Sequence, residues 1–186
     1  NRVIINKSTL AASGVGGTTL NDGLEYGDYP FGTRVQDQVI SLNVPDVVSV
    51  YGVFEATDTN DPESPFMTLA SMNGPSASTN DLIIGETVTG TVSGAKAIYV
   101  TRKTDNTIGF IYKNESVFEN NETVVFSDSG VQALANTIQI GSINVTGDYL
   151  FYNGQRESFY DYARIARRGG RSLPTKKLIV YFSSAF

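Results

Sequence analysis

The sequence predicts a mainly β protein: an antiparallel β-domain carrying an inserted, small, barrel-like β-module, with little helix. Three observations lead there. Apolar residues fall in short runs rich in Val, Ile, Tyr and Phe, separated by Gly, Asn, Asp, Ser and Pro. Helical periodicity is scarce. A strand–turn–strand pattern repeats at an offset of 36 residues, which marks a compact module inside the chain.

Composition narrows the chemistry before any motif is read. At 186 residues the chain suits one domain or two small ones, with enough length to bury a core without covalent staples. It has no cysteine and no histidine. Disulfides, thiolate metal sites and cysteine nucleophiles are therefore excluded, and the commonest general base and zinc ligand are missing. No catalytic residue, metal ligand or cofactor is expected. The formal charge of −5 argues against a general nucleic-acid binder, and no apolar run reaches the ~20 residues needed to span a bilayer. Asn1 in place of Met is expected of a processed chain or of a piece of something longer.

Taken in order, residues 2–6 (Arg-Val-Ile-Ile-Asn) read as a short strand. Residues 8–33 form an extended, glycine-rich arm in which Leu24, Tyr26, Tyr29 and Phe31 alternate with polar residues. An arm this long is expected to lie along another surface. Its Gly14-Val-Gly-Gly17 resembles half of a nucleotide-binding fingerprint but lacks the preceding strand and following helix. Residues 38–43 and 46–56 read as strands, the second apolar on both faces and hence buried on both sides. Asp58, Asn60, Asp61 and Glu63 follow in a loop whose clustered oxygens admit a cation but lack the calcium-loop order; a solvated turn is the simpler reading.

Residues 66–72 are a further strand. The repeat then aligns Glu86-Thr-Val88 with Glu122-Thr-Val124, and Ser93-Gly94 with Ser129-Gly130. Each copy is expected to be a strand, a Ser-Gly turn and a second strand, at residues 96–102 and 132–140. Asp105-Asn106 turns the chain into a strand at 107–112. Together these give about five short strands in a barrel or curled sheet. Glu86 and Glu122 could be taken as the acid and base of a glycosidase. Each opens a strand after a turn, however, where glutamate more often caps or faces water.

The end of the chain is densest in charge and aromatics. Arg156, Arg164, Arg167, Arg168, Arg171, Lys176 and Lys177 are half of its 14 basic residues. A short helical turn over 155–160 is the one reasonable helix, with a possible extension to 168; strand alternation fits 162–168 as well. Leu178, Val180 and Phe182 point inward from a terminal strand. The expected form of residues 162–182 is a β-hairpin with a long basic tip. Gln155, Arg156, Tyr160, Asp161 and Tyr162 form a structural corner at its base, with an Arg156–Asp161 pair buttressed by tyrosines. Tyr26, Tyr29, Phe31, Arg167, Arg168, Arg171, Lys176 and Lys177 are the candidate subunit interface, since Tyr and Arg dominate interface hot spots.

The segment Asn153-Gly-Gln-Arg156 and Phe159-Tyr-Asp-Tyr162, followed by a basic turn and Lys176-Lys-Leu-Ile-Val-Tyr-Phe182, resembles a segment of tailed-bacteriophage virion proteins. These are baseplate or tail-fibre-type components, as in T4-like and marine cyanophages. Val44-Pro-Asp-Val-Val-Ser-Val-Tyr-Gly-Val-Phe-Glu55 and the Gly85–Ala95 run are similar to strands and small β-modules of the same proteins. The resemblance implies a non-enzymatic structural or assembly protein of the virion (tail, baseplate or fibre). It would be homo-oligomeric, a trimer or hexamer by analogy, with itself and other tail proteins as partners. The alternative it implies is a receptor- or glycan-binding tip module of a tail fibre. The expected layout is an outer β-domain from residues 1–65 and 141–186 and an inserted module at 66–140.

Overall fold

The computed structural model describes residues 1–9, 22–27, 32–155 and 161–185. Strands run in chain order as β1 (Arg2–Ile5), β2 (Lys7–Ser8), β3 (Glu25–Tyr26), β4 (Val39–Ser41) and β5 (Val47–Glu55). Then come β6 (Phe66–Ala70), β7 (Thr87–Gly90), β8 (Lys96–Arg102), β9 (Thr107–Tyr112), β10 (Thr123–Phe126) and β11 (Gln132–Gln139). The chain closes with β12 (Ile143–Asn144), β13 (Tyr149–Tyr152), β14 (Arg164–Arg167) and β15 (Leu178–Ser184). Single 3-10 turns at Thr79–Asp81 and Thr146–Asp148 are the helical elements among the described residues. The protein is thus mainly β and antiparallel. It divides into two compact units, Asn1–Pro62 with Ser142–Phe186, and Glu63–Gly141.

The first unit holds two antiparallel sheets, ordered β1-β15-β5-β12 and β13-β14-β4, besides the short parallel pair β2-β3. One core serves both larger sheets: Val53, Leu178, Val180 and Phe182 from the first pack with Ile40, Tyr149 and Ile165 from the second. In β15 all five residues from Leu178 to Phe182 are buried, so both of its faces are covered. On its other face Tyr181 meets Phe54 edge-on, with ring centroids 6.0 Å apart. Each such fully buried side chain stabilises the fold by roughly 1.5–3 kcal/mol. The burial expected on both faces of β5 holds for Gly52–Phe54 but fails at its start, where Val48 is 68% exposed.

The expected hairpin over 162–182 does not form. β14 lies between β13 and β4, whereas β15 lies between β1 and β5, so the basic segment crosses from one sheet to the other. The physical reason is the five-residue apolar run of β15. A strand apolar on both faces needs a central place in a sheet, and β14 as its sole neighbour would not provide one. Residues 164–167, the end of the possible helical extension, are strand; residues 156–160 lie outside the described set.

The second unit is a closed barrel of six strands in the order β10-β11-β6-β9-β8-β7. The expected five strands become six because β6 closes the ring between β9 and β11. The 36-residue repeat is a pseudo-two-fold axis. β7 pairs with β10 as Val88↔Phe126, Thr89↔Val125 and Gly90↔Val124, a register that maps onto itself under the offset. The loops obey the same symmetry. Tyr99 N–H donates to the Glu86 carbonyl at 3.0 Å, as Ala135 N–H does to that of Glu122 at 2.9 Å. Gly94 and Gly130 end the two Ser-Gly turns with φ of +68° and +71°, a conformation that favours glycine.

The symmetry breaks where the core must be filled. Tyr99 and Gly90 in one half stand opposite Ala135 and Phe126 at the equivalent positions of the other, large against small in both cases. The Tyr99 and Phe126 rings meet edge-on at 6.5 Å. A six-stranded barrel has room only for its own side chains, so two large residues at each position would overfill it. A Cβ at Gly90 would lie 2.6 Å from both Glu122 carboxylate oxygens and from Ser93 Oγ. Gly90→Ala should therefore destabilise the barrel by about 1–3 kcal/mol. Gly169→Ala, where a Cβ meets open space, should change stability by less than about 0.5 kcal/mol. Urea unfolding of the two variants checks both expectations, and equal midpoints would contradict them.

Candidate functional site

The two repeat glutamates are buried, with Glu86 1% and Glu122 4% exposed. Each reaches across the pseudo-two-fold axis to the Ser-Gly turn of the other half. The Glu86 carboxylate accepts from the N–H groups of Ile83 (2.7 Å), Asp128 (2.9 Å) and Ser129 (2.8 Å), and from Ser129 Oγ. The Glu122 carboxylate accepts from the N–H groups of Glu119 (2.7 Å), Val92 (3.0 Å) and Ser93 (3.0 Å), and from Ser93 Oγ at 2.7 Å. Burial pushes the Glu122 carboxyl upward, but the donors from Ser93, Glu119 and Val92 outweigh it and hold the group below its ordinary value. In both halves the carboxylate oxygens are taken up by turn donors, which is the capping arrangement.

The acidic loop after β5 is engaged as well. Asp58 accepts from Asn60 N–H and Nδ2 at 2.9 Å, Asp61 pairs with Lys177 at 2.9 Å, and Glu63 pairs with Lys103 at 2.9 Å. No group of three His, Cys, Asp or Glu side chains that could hold a metal occurs among the described residues. The Gly14–Gly17 run lies outside those residues, as do Tyr29, Phe31, Arg156 and Tyr160.

The basic segment is drawn largely into its own unit. Arg167 donates from Nη1 to the carbonyls of Gln36 (3.4 Å) and Asp37 (3.3 Å), and from Nη2 to Gln38 Oε1 (3.2 Å). Arg171 pairs with Asp148 at 3.5 Å, and Lys177 with Asp61. Arg168 is exposed and Lys176 half-buried. Tyr26, from the arm, is exposed on β3. Beside Arg167, the Tyr149 phenol is buried in the core; burial raises its pKa to about 12.

The corner at the start of β14 is built on Gly154, whose φ is +79°. A Cβ there would lie 2.3 Å from the Asp161 carbonyl oxygen, so only glycine fits. Asp161 N–H closes the corner on the Gly154 carbonyl at 3.0 Å, and Gln155 N–H donates to Asn153 Oδ1 at 3.0 Å. The Asp161 carboxylate accepts from Tyr162 N–H at 2.8 Å and pairs with Arg164 at 3.4 Å. Arg164 is thus its cationic partner among the described residues, in the place where Arg156 was expected.

Beyond the corner, the sheet β13-β14-β4 aligns its residues in rows. Phe151–Ile165–Ile40 faces the core, while Tyr152–Arg164–Ser41 and Leu150–Ala166–Val39 lie on the opposite face. Tyr152 is 47% and Tyr162 55% exposed. The Arg164 guanidinium sits 5.9 Å from the Tyr152 ring centroid and 3.4 Å from the Asp161 carboxylate. Gly32, Val39, Ser41, Asp161, Tyr162 and Arg164 line a shallow cleft of about 180 Å³ here. Sequence reasoning named Asp161 and Tyr162 but missed Tyr152, Ser41 and Val39. Their alternation with buried neighbours was visible; their register across three strands distant in sequence was not.

Comparison with protein-family models, curated proteins and solved structures finds no match to this chain. No helix among the described residues is long and apolar enough to cross a membrane.

The Glu122 contacts carry a pH signature. Its folded pKa lies below the ordinary value of 4.5, so its stabilising contribution is complete above that value and is lost as pH falls through the folded pKa. Urea midpoints measured down the acid range should fall for the wild type and fall less steeply for Glu122→Gln, which starts lower. Parallel curves would contradict the assignment.

Proposed function

We propose that the chain is a non-enzymatic structural and assembly protein of a phage virion, acting through subunit contacts in a tail, baseplate or fibre. The observation that carries this reading is the use the fold makes of the residues that resemble virion proteins. Gly154 and the Asp161 backbone form a corner that leaves no room for a side chain at residue 154. Lys177 ties residues 176–182 to Asp61, and β15 then fills the centre of its sheet. The described part of the motif therefore serves as framework. The conspicuous carboxylates support the same reading, because their oxygens serve turns of the barrel.

A protein of this kind works by repetition. Tyr26 on β3, Val48 at the start of β5, and Arg168 beyond β14 are exposed on the first unit and available for subunit contacts. Size-exclusion chromatography with light scattering should give a homo-oligomer of defined stoichiometry, and mass spectrometry of purified particles should find the chain in the virion. A monomer at every concentration tested, together with absence from the particle, would overturn the proposal.

A further inference from the structure

We infer that Asn153 is a site of spontaneous modification. Its side-chain amide is lost to attack by the Gly154 backbone nitrogen, and the fold directs that reaction to this asparagine. The inference goes beyond the assembly reading and does not depend on it. The chain has two Asn-Gly pairs, Asn73-Gly74 and Asn153-Gly154. Without a Cβ on the following residue, its backbone nitrogen is open to attack the preceding carboxamide, so both pairs qualify by sequence. The structure separates them.

At Asn153 the parts of the reaction are already together. The residue is exposed, so ammonia can leave into water. Gln155 N–H donates to Asn153 Oδ1 at 3.0 Å. That bond closes an Asx turn, which folds the carboxamide back over the Gly154 peptide and draws electron density from Cγ. Among the described residues the Gly154 N–H has no acceptor, so no hydrogen bond there must break before it is deprotonated. Side-chain bulk cannot shield the site either. A Cβ at Gly154 would collide with the Asp161 carbonyl oxygen, so the corner itself demands the residue that leaves the nitrogen open.

Asn73 is exposed too, but it is tied to β11. Its Oδ1 accepts from Gln132 N–H at 2.8 Å, and its own N–H donates to the Gln132 carbonyl at 3.1 Å. These bonds hold the carboxamide toward the barrel strand rather than over Gly74. Two hydrogen bonds of ordinary strength must open before the ring can close, which slows the reaction by about thirtyfold.

The chemistry needs only water. The deprotonated Gly154 nitrogen bonds to Asn153 Cγ, the Cγ–Nδ2 bond breaks, and the amide leaves as ammonia with the displaced proton. A succinimide ring remains, and water opens it. Breaking the bond from the Gly154 nitrogen to Cγ gives aspartate. Breaking its bond to the Asn153 carbonyl carbon gives isoaspartate, with an added methylene in the main chain. Either product adds a carboxylate to a chain whose formal charge is −5. The aspartyl product keeps an acceptor for Gln155 N–H. In the isoaspartyl product the lengthened backbone cannot hold Gly154 against Asp161, and the 3.0 Å bond from Asp161 N–H to the Gly154 carbonyl is lost. The corner thus opens with age.

The test follows the folded wild-type chain during incubation at neutral and mildly alkaline pH. Digestion at acidic pH and tandem mass spectrometry read the amide retained at each asparagine, and an isoaspartyl methyltransferase labels the isoaspartyl product. The Asn153 amide should be lost about thirtyfold faster than that of Asn73, and faster as pH rises. In urea the two should be lost at similar rates. Hydrogen exchange at the Asp161 amide should quicken in the isoaspartyl fraction. Asn153→Gln, which could close only a larger and slower-forming imide, should abolish the acidic drift seen by isoelectric focusing. Retention of the Asn153 amide in the folded chain, over a period in which the urea-unfolded chain loses it, would overturn the inference. Loss at Asn73 in the folded chain as fast as at Asn153 would do the same.

Discussion

The barrel depends on two buried carboxylates that each hold a turn of the opposite half. A Ser-Gly turn projects backbone N–H groups that the strands cannot satisfy, and a buried, unmatched donor costs about 1–3 kcal/mol. The carboxylates of Glu86 and Glu122 each accept from two such groups, from one N–H of their own half (Ile83 and Glu119) and from a serine hydroxyl. Charge-assisted bonds of this kind are roughly twice as strong as neutral ones. Because each carboxylate belongs to one half and its turn to the other, the same bonds that satisfy the turns also lock the halves together. The cost of burying the charge is offset at the place where it is buried.

Around these two locks the core follows a rule of complementary volume. Perfect symmetry would have placed equal residues at Gly90 and Phe126 and at Tyr99 and Ala135. The chain instead keeps identity where hydrogen bonds need it, at the glutamates, serines and turn glycines, and departs from it where packing needs it. The first unit solves a different problem. Its β15 is apolar on both faces and can only be central, which forces the basic segment to travel between sheets and brings Arg167 onto the carbonyls of Gln36 and Asp37.

Much of this was legible in the residues. β-branched runs between turn formers give the fold class, and the bounds of β8 and β9 follow from Lys96–Arg102 and Thr107–Tyr112. The repeat was visible because the matching glutamates, serines and turn glycines make equivalent bonds and turns in the two halves. β6 was not visible as the sixth barrel strand: it corresponds to β9 in the symmetry, yet Phe66-Met-Thr-Leu-Ala70 and Thr107-Ile-Gly-Phe-Ile111 share only a general apolarity. The hairpin over 162–182 was misread for a related reason. Nearness in sequence favours pairing β14 with β15, whereas burial on both faces decides the partner of β15, and the strands that meet it lie far away. The cleft beside Arg164 was only half legible, since Asp161 and Tyr162 are local to the corner while Val39 and Ser41 reach it through register.

The two repeat glutamates hold turns of the barrel, and Tyr152 and Tyr162 stand exposed in the other unit. Amide hydrogen exchange of the wild-type chain tests the framework most directly. Val92, Ser93, Asp128 and Ser129 lie in turns at the surface of the barrel, where amides free of partners exchange quickly. Bonded to buried carboxylates, they should exchange as slowly as the amides of β7 and β10, in step with opening of the whole barrel. Exchange of these four amides at the rate of an unprotected loop would show that the carboxylates do not hold the turns, and would contradict the account.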